Sequence, residues 1–310
     1  MEKKILIAVD ASRQTLETID YAARVNETIA PASYTLVHIE PPLSQYLTDE
    51  AQRKQSAQIA LEKVMAQNQA KARETQATAS QRLVTGGVDK DRIRRLSLPR
   101  NKSVADDLLA LTMAKSYDAI LVGRHGSSYM RQWLMGSVTA NLIEHAEMIP
   151  IWVVDGTVAS NDILLAADGS QSTLRALDHI AFMLSDQPSR QIHLLHVRPR
   201  LQDYCEIKVP DDTLRAAETV LLDEDRHCMD DFYAQALTAL AKNNVPKERM
   251  EMVTLDGKLS VTRSVLGYAR EHGFGTVVMG RRGRSKSTFF GSSSRGILQK
   301  AEDMALWVVP

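Results

Sequence analysis

Two stretches of the sequence carry residue types suited to holding an anionic ligand. The first is Asp10, which ends the apolar run Ile5–Val9. A carboxylate there can accept hydrogen bonds from a sugar hydroxyl, help to hold a metal, or cap the next helix. The second is Gly123-Arg124-His125-Gly126, followed after nine residues by Gly136-Ser137-Val138-Thr139. Glycine lets a backbone approach a phosphate with no Cβ in the way. The amides and dipole of a helix N-terminus attract negative charge. Ser137 and Thr139 add hydroxyl donors. An ordinary turn with a cap uses the same residue types, so a single Gly-x-x-Gly says little. Its spacing from the second Gly-Ser, together with Asp10, is more specific.

Both stretches occur twice. ILIAVDAS at Ile5–Ser12 returns as ILLAADGS at Ile163–Ser170, an offset of 158 (163 − 5). LVHIEPP at Leu36–Pro42 returns as LLHVRPR at Leu194–Arg200. VDKDRI at Val88 returns as VPKERM at Val245, DAILVGRHG at Asp118 as GTVVMGRRG at Gly275, and GSVTANLI at Gly136 as GSSSRGIL at Gly291. AEMIPIWVVD at Ala146 returns as AEDMALWVVP at Ala301. Repeats in constant order mean one structural unit used twice. The chain therefore divides into domains at 1–156 and 160–310, with the short polar linker Asp155–Asn161 between them.

The elements that must position these loops follow from periodicity. Apolar runs such as KILIAVD suit strands buried on both faces of a parallel sheet. Ser12 reads as a helix cap, with Leu16, Ile19 and Ala23 at helical spacing. Strand YTLVHIE follows, then Pro41–Pro42 and one long helix over about Asp49–Ser80. Strand RIRRLSL, a helix over Ser103–Ser116, strand DAILVG, a helix over Val138–Glu147 and strand PIWVV complete the unit. Alternation of strand and helix predicts an α/β fold: two doubly wound, five-stranded parallel-sheet domains of Rossmann-like architecture. Ligands in such sheets bind beyond the carboxyl ends of the strands, at the switch in strand order.

With Gly123, Gly126, Gly136 and Ser137 matching G-x2-G-x9-G-[ST], and with Asp10 and Leu36–Ile39 in place, the sequence resembles the universal stress protein family, twice over. The fold of that family is adenine nucleotide alpha hydrolase-like. The resemblance implies ATP as ligand, with Mg2+ as an accompanying ion. It assigns Asp10 to the ribose, the Ile39 backbone to the adenine, and Gly123, Arg124, Gly126, Gly136, Ser137, Val138 and Thr139 to the phosphates. The counterparts in the second domain are Asp168, Val197, Gly280, Arg281, Gly283, Gly291, Ser292, Ser293 and Ser294. There only seven residues separate Gly283 from Gly291. The loop is two residues short, so the first domain is favoured for ATP, although Arg281, Arg282 and Arg284 still attract anions. The resemblance also implies antiparallel pairing of the last strands of the two domains, an intramolecular pseudo-dimer, and leaves open a homodimer of chains. Trp152 and Trp307 lie in those strands.

Other features narrow the function. Lys plus Arg and Asp plus Glu both number 38, a formal net charge of zero, which argues against a nucleic-acid partner. Two cysteines, Cys205 and Cys228, form no CxxC pair, so neither a disulfide framework nor a cysteine metal site is expected. The apolar run after Lys3 and Lys4 is too short for a secretion signal, and no stretch is apolar enough for a membrane span. A cytoplasmic protein is expected. His38 and His196 read as structural histidines rather than bases or ligands. His227 and Cys228 are neighbours on a helix and so do not share a face. Leu201–Val209, with Tyr204 and Ile207, and the helix Asp212–Ala241 read as core and lid. No P-loop, nucleophile elbow or zinc helix is present. The expected function is a stress-response sensor or regulator that binds ATP, at most a slow ATPase or autophosphorylating protein. The alternatives are a partner- or small-molecule-binding module with one or both nucleotide sites vestigial, and an adenylyl- or phosphoryl-transferring enzyme.

Overall fold

The computed structural model describes residues 2–29, 31–126, 135–187, 189–200, 211–256, 260–283 and 291–310. The chain forms two compact units, Met1–Glu27 with Pro31–Val154 and Thr28–Ala30 with Asp155–Pro310. Each is an α/β unit in which strands and helices alternate.

The first unit contains β1 (Lys3–Ala8), α1 (Arg13–Ile29), β2 (Ala32–Glu40), α2 (Gln45–Ala51), α3 (Gln55–Thr85), β3 (Ile93–Pro99), α4 (Val104–Lys115), β4 (Ala119–Gly123), α5 (Ser137–His145) and β5 (Ile151–Asp155). Its strands run parallel in the order β3-β2-β1-β4-β5. The order reverses between β1 and β4, which makes their carboxyl ends the place where a cleft opens. Ile5, Leu6 and Ile7 on β1, and Ile120 and Leu121 on β4, are fully buried. A strand apolar on successive residues has both faces covered by helices, as the apolar runs require. Edge strand β3 instead carries Arg94 and Arg95 outward.

Local chemistry sets the helix ends. Ser12 Oγ accepts from Thr15 N at 3.3 Å, so Ser12 caps α1 as its position suggests. Ser103 accepts from Asp106 N to start α4, and Ser116, left-handed at φ 49°, ends it. The single long helix expected over Asp49–Ser80 is two helices. They part at Gln52–Lys54, where Arg53 N and Lys54 N both fold back onto Glu50 O. No proline or glycine marks that break.

The second unit contains β6 (Ile163–Ala167), α6 (Gln171–Met183), β7 (Ile192–Val197), α7 (Asp211–Lys242), β8 (Met250–Leu255), α8 (Val261–Glu271), β9 (Thr276–Gly280), α9 (Ser292–Lys300) and β10 (Met304–Val309). Its order, β8-β7-β6-β9-β10, is the same parallel arrangement. Among the described residues no helix is long and apolar enough to cross a membrane. The segment Leu201–Val209, with Cys205, lies outside the described residues, as does Arg284.

Candidate functional site

At the switch point of the first unit, the carboxyl ends of β1, β2 and β4 border a cavity of about 480 Å³. That size suits a small organic ligand. Val9 and Asp10 follow directly on β1, β2 contributes His38 and Ile39, and β4 contributes Val122 and Gly123. The loop and helix after β4 add His125, Gly126 and Gly136 through Thr139.

Asp10 is held by its own turn. Its Oδ1 accepts from Ser12 N at 3.0 Å, from Thr15 Oγ1 at 2.7 Å and from Ser12 Oγ. Asp10 N in turn donates to Thr15 Oγ1 at 3.1 Å. These contacts fix the carboxylate's orientation. A Cβ built on Gly126 would lie 3.4 Å from Asp10 Oδ2, so the second oxygen faces the glycine loop. Asp10 thus has a structural duty and also lines the cavity.

The loop closes on itself through the main chain. Arg124 N donates to Val154 O at 2.8 Å, and Gly136 N donates to Arg124 O at 2.9 Å. A Cβ on Gly136 would come within 3.2 to 3.4 Å of Arg124 O, Gly126 N and His125 Cα. A side chain at this position would press on both ends of the loop, which glycine leaves room to meet. Gly136 is also the N-cap of α5 and supplies no side-chain acceptor. The first-turn amides of Ser137, Val138 and Thr139 have no acceptor within the helix by construction. With the dipole of α5 they present partial positive charge at the cavity wall.

Two of the expected phosphate groups have other commitments. Thr139 Oγ1, buried, donates to Gly123 O at 2.8 Å. Arg124 is 5 % exposed and lies outside the cavity lining, with both main-chain polar atoms bonded to the protein. Ser137 is exposed beside the cavity. His38 Nδ1 donates to Val9 O at 3.0 Å, tying β2 to β1 just below Ile39.

The second unit repeats the frame. Asp168 Oδ1 accepts from Ser170 N at 3.0 Å and from Thr173 Oγ1 at 2.6 Å. A Cβ on Gly283 would lie 2.9 Å from Asp168 Oδ2. Arg281 N donates to Val309 O at 2.6 Å, Gly291 N to Arg281 O at 3.4 Å, and Ser294 Oγ to Gly280 O at 3.1 Å. Ser292 and Ser293 are exposed at the start of α9, and Val197 is buried at the end of β7.

The units part company over the long helix. In the first, Asn68 and Lys71 on α3 line the cavity, with Arg100 from the turn after β3 and Glu40 from β2. In the second, His196 Nδ1 donates to Ala167 O at 3.0 Å while its Nε2 meets Asp225 Oδ2 at 2.8 Å. With Nδ1 donating to a carbonyl, a proton must lie between Nε2 and the carboxylate. Both side chains are only 5 % exposed. Asn68, Lys71, Arg100 and Asp225 belong to no motif. Laying α3 on α7 at the repeat offset of 157 (225 − 68) is the signal that pairs Asn68 with Asp225 and Lys71 with Cys228. Among the described residues no three His, Cys, Asp or Glu side chains gather as a metal site.

Comparison with known proteins agrees with this architecture. A solved universal stress protein from Archaeoglobus fulgidus DSM 4304 aligns over 99 % of this chain and 97 % of its own, at 15 % identity and a TM-score of 0.63. A functionally unknown protein from Pseudomonas aeruginosa PAO1 aligns over 99 % and 92 %, at 12 % identity and a TM-score of 0.56. A putative universal stress protein from Pseudomonas aeruginosa UCBPP-PA14 does so over the same shares, at 12 % identity and a TM-score of 0.55. At these identities the likeness is one of fold. No curated protein matches the chain. The model of the universal stress protein family matches residues 1–155 and again 160–309. With the duplicated parallel sheet and the glycine loop at each switch point, those two matches show that the chain belongs to the universal stress protein family.

Proposed function

We propose that the first unit binds ATP and that the chain acts in the cytoplasm as a stress-response sensor or regulator. The observation that carries the reading is the cavity of about 480 Å³, which brings Asp10, Ile39, Gly126 and the first turn of α5 to one space. The residues fit the ligand's chemistry. Asp10, already oriented by Ser12 and Thr15, is an acceptor for ribose hydroxyls. Ile39 offers main-chain groups beside an apolar strand end for a purine. The amides of Ser137 and Val138 suit phosphate oxygens. Mg2+ would rest mainly on the phosphates, as this ion commonly does.

A ligand that binds only the folded protein raises its melting temperature with concentration. ATP is therefore expected to raise the melting temperature of the full chain. Gly136→Val, which sets a branched side chain against Arg124 O and Gly126 N, is expected to lower ATP affinity at least about tenfold, a loss of ~1.4 kcal/mol or more. A chain unmoved by ATP at millimolar concentration, or a G136V variant that binds as the parent does, refutes the reading.

One observation favours a different reading for the second unit. Asp225 is buried against His196 at the position where Asn68 lines the cavity of the first. We propose that the second unit is a module whose nucleotide site is vestigial.

A further inference from the structure

Resting on the nucleotide reading of the first cavity, we propose that Lys71 makes that site selective for polyphosphates. It would favour a nucleoside di- or triphosphate over the monophosphate and the nucleoside. Among the described residues the glycine loop supplies amide dipoles, and its Arg124 is buried outside the lining. Asp10 and Glu40 both line the cavity. A polyanion entering it meets two carboxylates and needs cations to offset them. Among the described residues, Lys71 and Arg100 are the Lys and Arg side chains of the lining.

The fold separates their roles. Arg100 follows β3, and β2 and β1 lie between β3 and β4, the strand that feeds the glycine loop. Lys71 comes down elsewhere, as the duplication reveals. Its counterpart Cys228 (228 − 71 = 157) has its Sγ 3.8 Å from Gly169 O. Gly169 corresponds to Ala11 (169 − 11 = 158), which lines the first cavity. Position 71 therefore stands over the turn after β1, next to Asp10, whose Oδ2 faces Gly126. A flexible ammonium at that rim reaches the phosphate end of a ligand whose base lies toward Ile39. Lys71 is exposed, whereas Ala72 beside it is buried. In the second unit the counterparts of Lys71 and Asn68 are Cys228 and the buried Asp225, which offer a polyphosphate no cation and one carboxylate.

The test is calorimetric titration of the full chain with ATP, ADP, AMP and adenosine, for the parent, Lys71→Gln and Lys71→Arg. The parent is expected to prefer ATP to AMP at least about tenfold, with one ATP per chain. K71Q should lose about tenfold for ATP, since a charge-assisted contact is removed. It should change adenosine affinity less than about twofold and leave the melting curve of the ligand-free protein unmoved. K71R should keep the preference. ATP bound equally well by K71Q and the parent, or ATP and adenosine weakened in step, overturns the role of Lys71 while nucleotide binding stands. A parent chain that binds neither ATP nor adenosine overturns both.

Discussion

Gly123 and Gly280 end equivalent strands, yet an added methyl group would meet different obstacles at each. At Gly123 it would collide with Gln14 Cγ, an atom of a side chain that can turn away at the loss of the Gln14 Nε2 bond to Val154 O. At Gly280 it would lie 2.8 Å from Ser172 C and 3.0 Å from Thr173 N, which are main chain in the first turn of α6. A helix end cannot move without dragging its packed face. Overpacking of this kind costs about 1 to 3 kcal/mol. In urea denaturation Gly280→Ala is expected near the top of that range and Gly123→Ala near the bottom. The reverse order would mean that α6 shifts more easily than Gln14 turns. Arg124 and Thr139 show what residue type alone does not convey about such a loop. An arginine and a hydroxyl in a phosphate-type loop read as ligands, but one is buried and the other donates to Gly123 O.

The long helix α3 divides by burial into two unlike halves. Ala72, Gln76, Ala79 and Leu83, spaced four, three and four apart, are buried and bind it to the sheet. Gln76 Nε2 reinforces this by donating to Leu36 O at 3.3 Å and Leu96 O at 2.7 Å. Before Ala72 the helix buries no residue, and Ile59 is 59 % exposed. Leu83→Ala is therefore expected to cost about 2 to 5 kcal/mol, as buried leucines do. Ile59→Ala should stay within about 0.5 kcal/mol. Equal losses in chemical denaturation would show that the outer half is packed in solution. Strands and helices of each unit were legible in the sequence because burial on two faces writes unbroken apolar runs, and caps such as Ser12 and Ser103 mark helix starts. The break at Gln52–Lys54 was not, because no proline or glycine announces it. Likewise Asp10 and the glycine loop form a local pattern. Asn68, Lys71 and Arg100 enter the site only through the packing of α3 and the turn after β3, which no local pattern encodes.

At the scale of the whole molecule, the duplication acts as an internal control, since one frame carries two sets of side chains. The frame is kept where the main chain is at stake. Asp10 and Asp168 each organise the turn after the first strand, and His38 and His196 each donate from Nδ1 to the neighbouring strand at 3.0 Å. Difference begins where the helix faces the cleft. Asn68 is partly exposed at the cavity, whereas Asp225 is buried with His196. Removing one member of a buried hydrogen-bonded pair leaves the other desolvated without a partner, which costs about 3 kcal/mol or more. Removing a side chain that water already reaches costs far less. Asp225→Ala is expected to weaken the second unit by about 3 kcal/mol, with amide exchange quickening in β6 and β7. Asn68→Ala should shift β1 and β2 by less than about 1 kcal/mol while altering the cavity's ligand preference. If the two variants proved alike in stability, Asp225 would have to be accessible to solvent. The second cleft would then be as open as the first, and the division of labour between the two copies would fail with it.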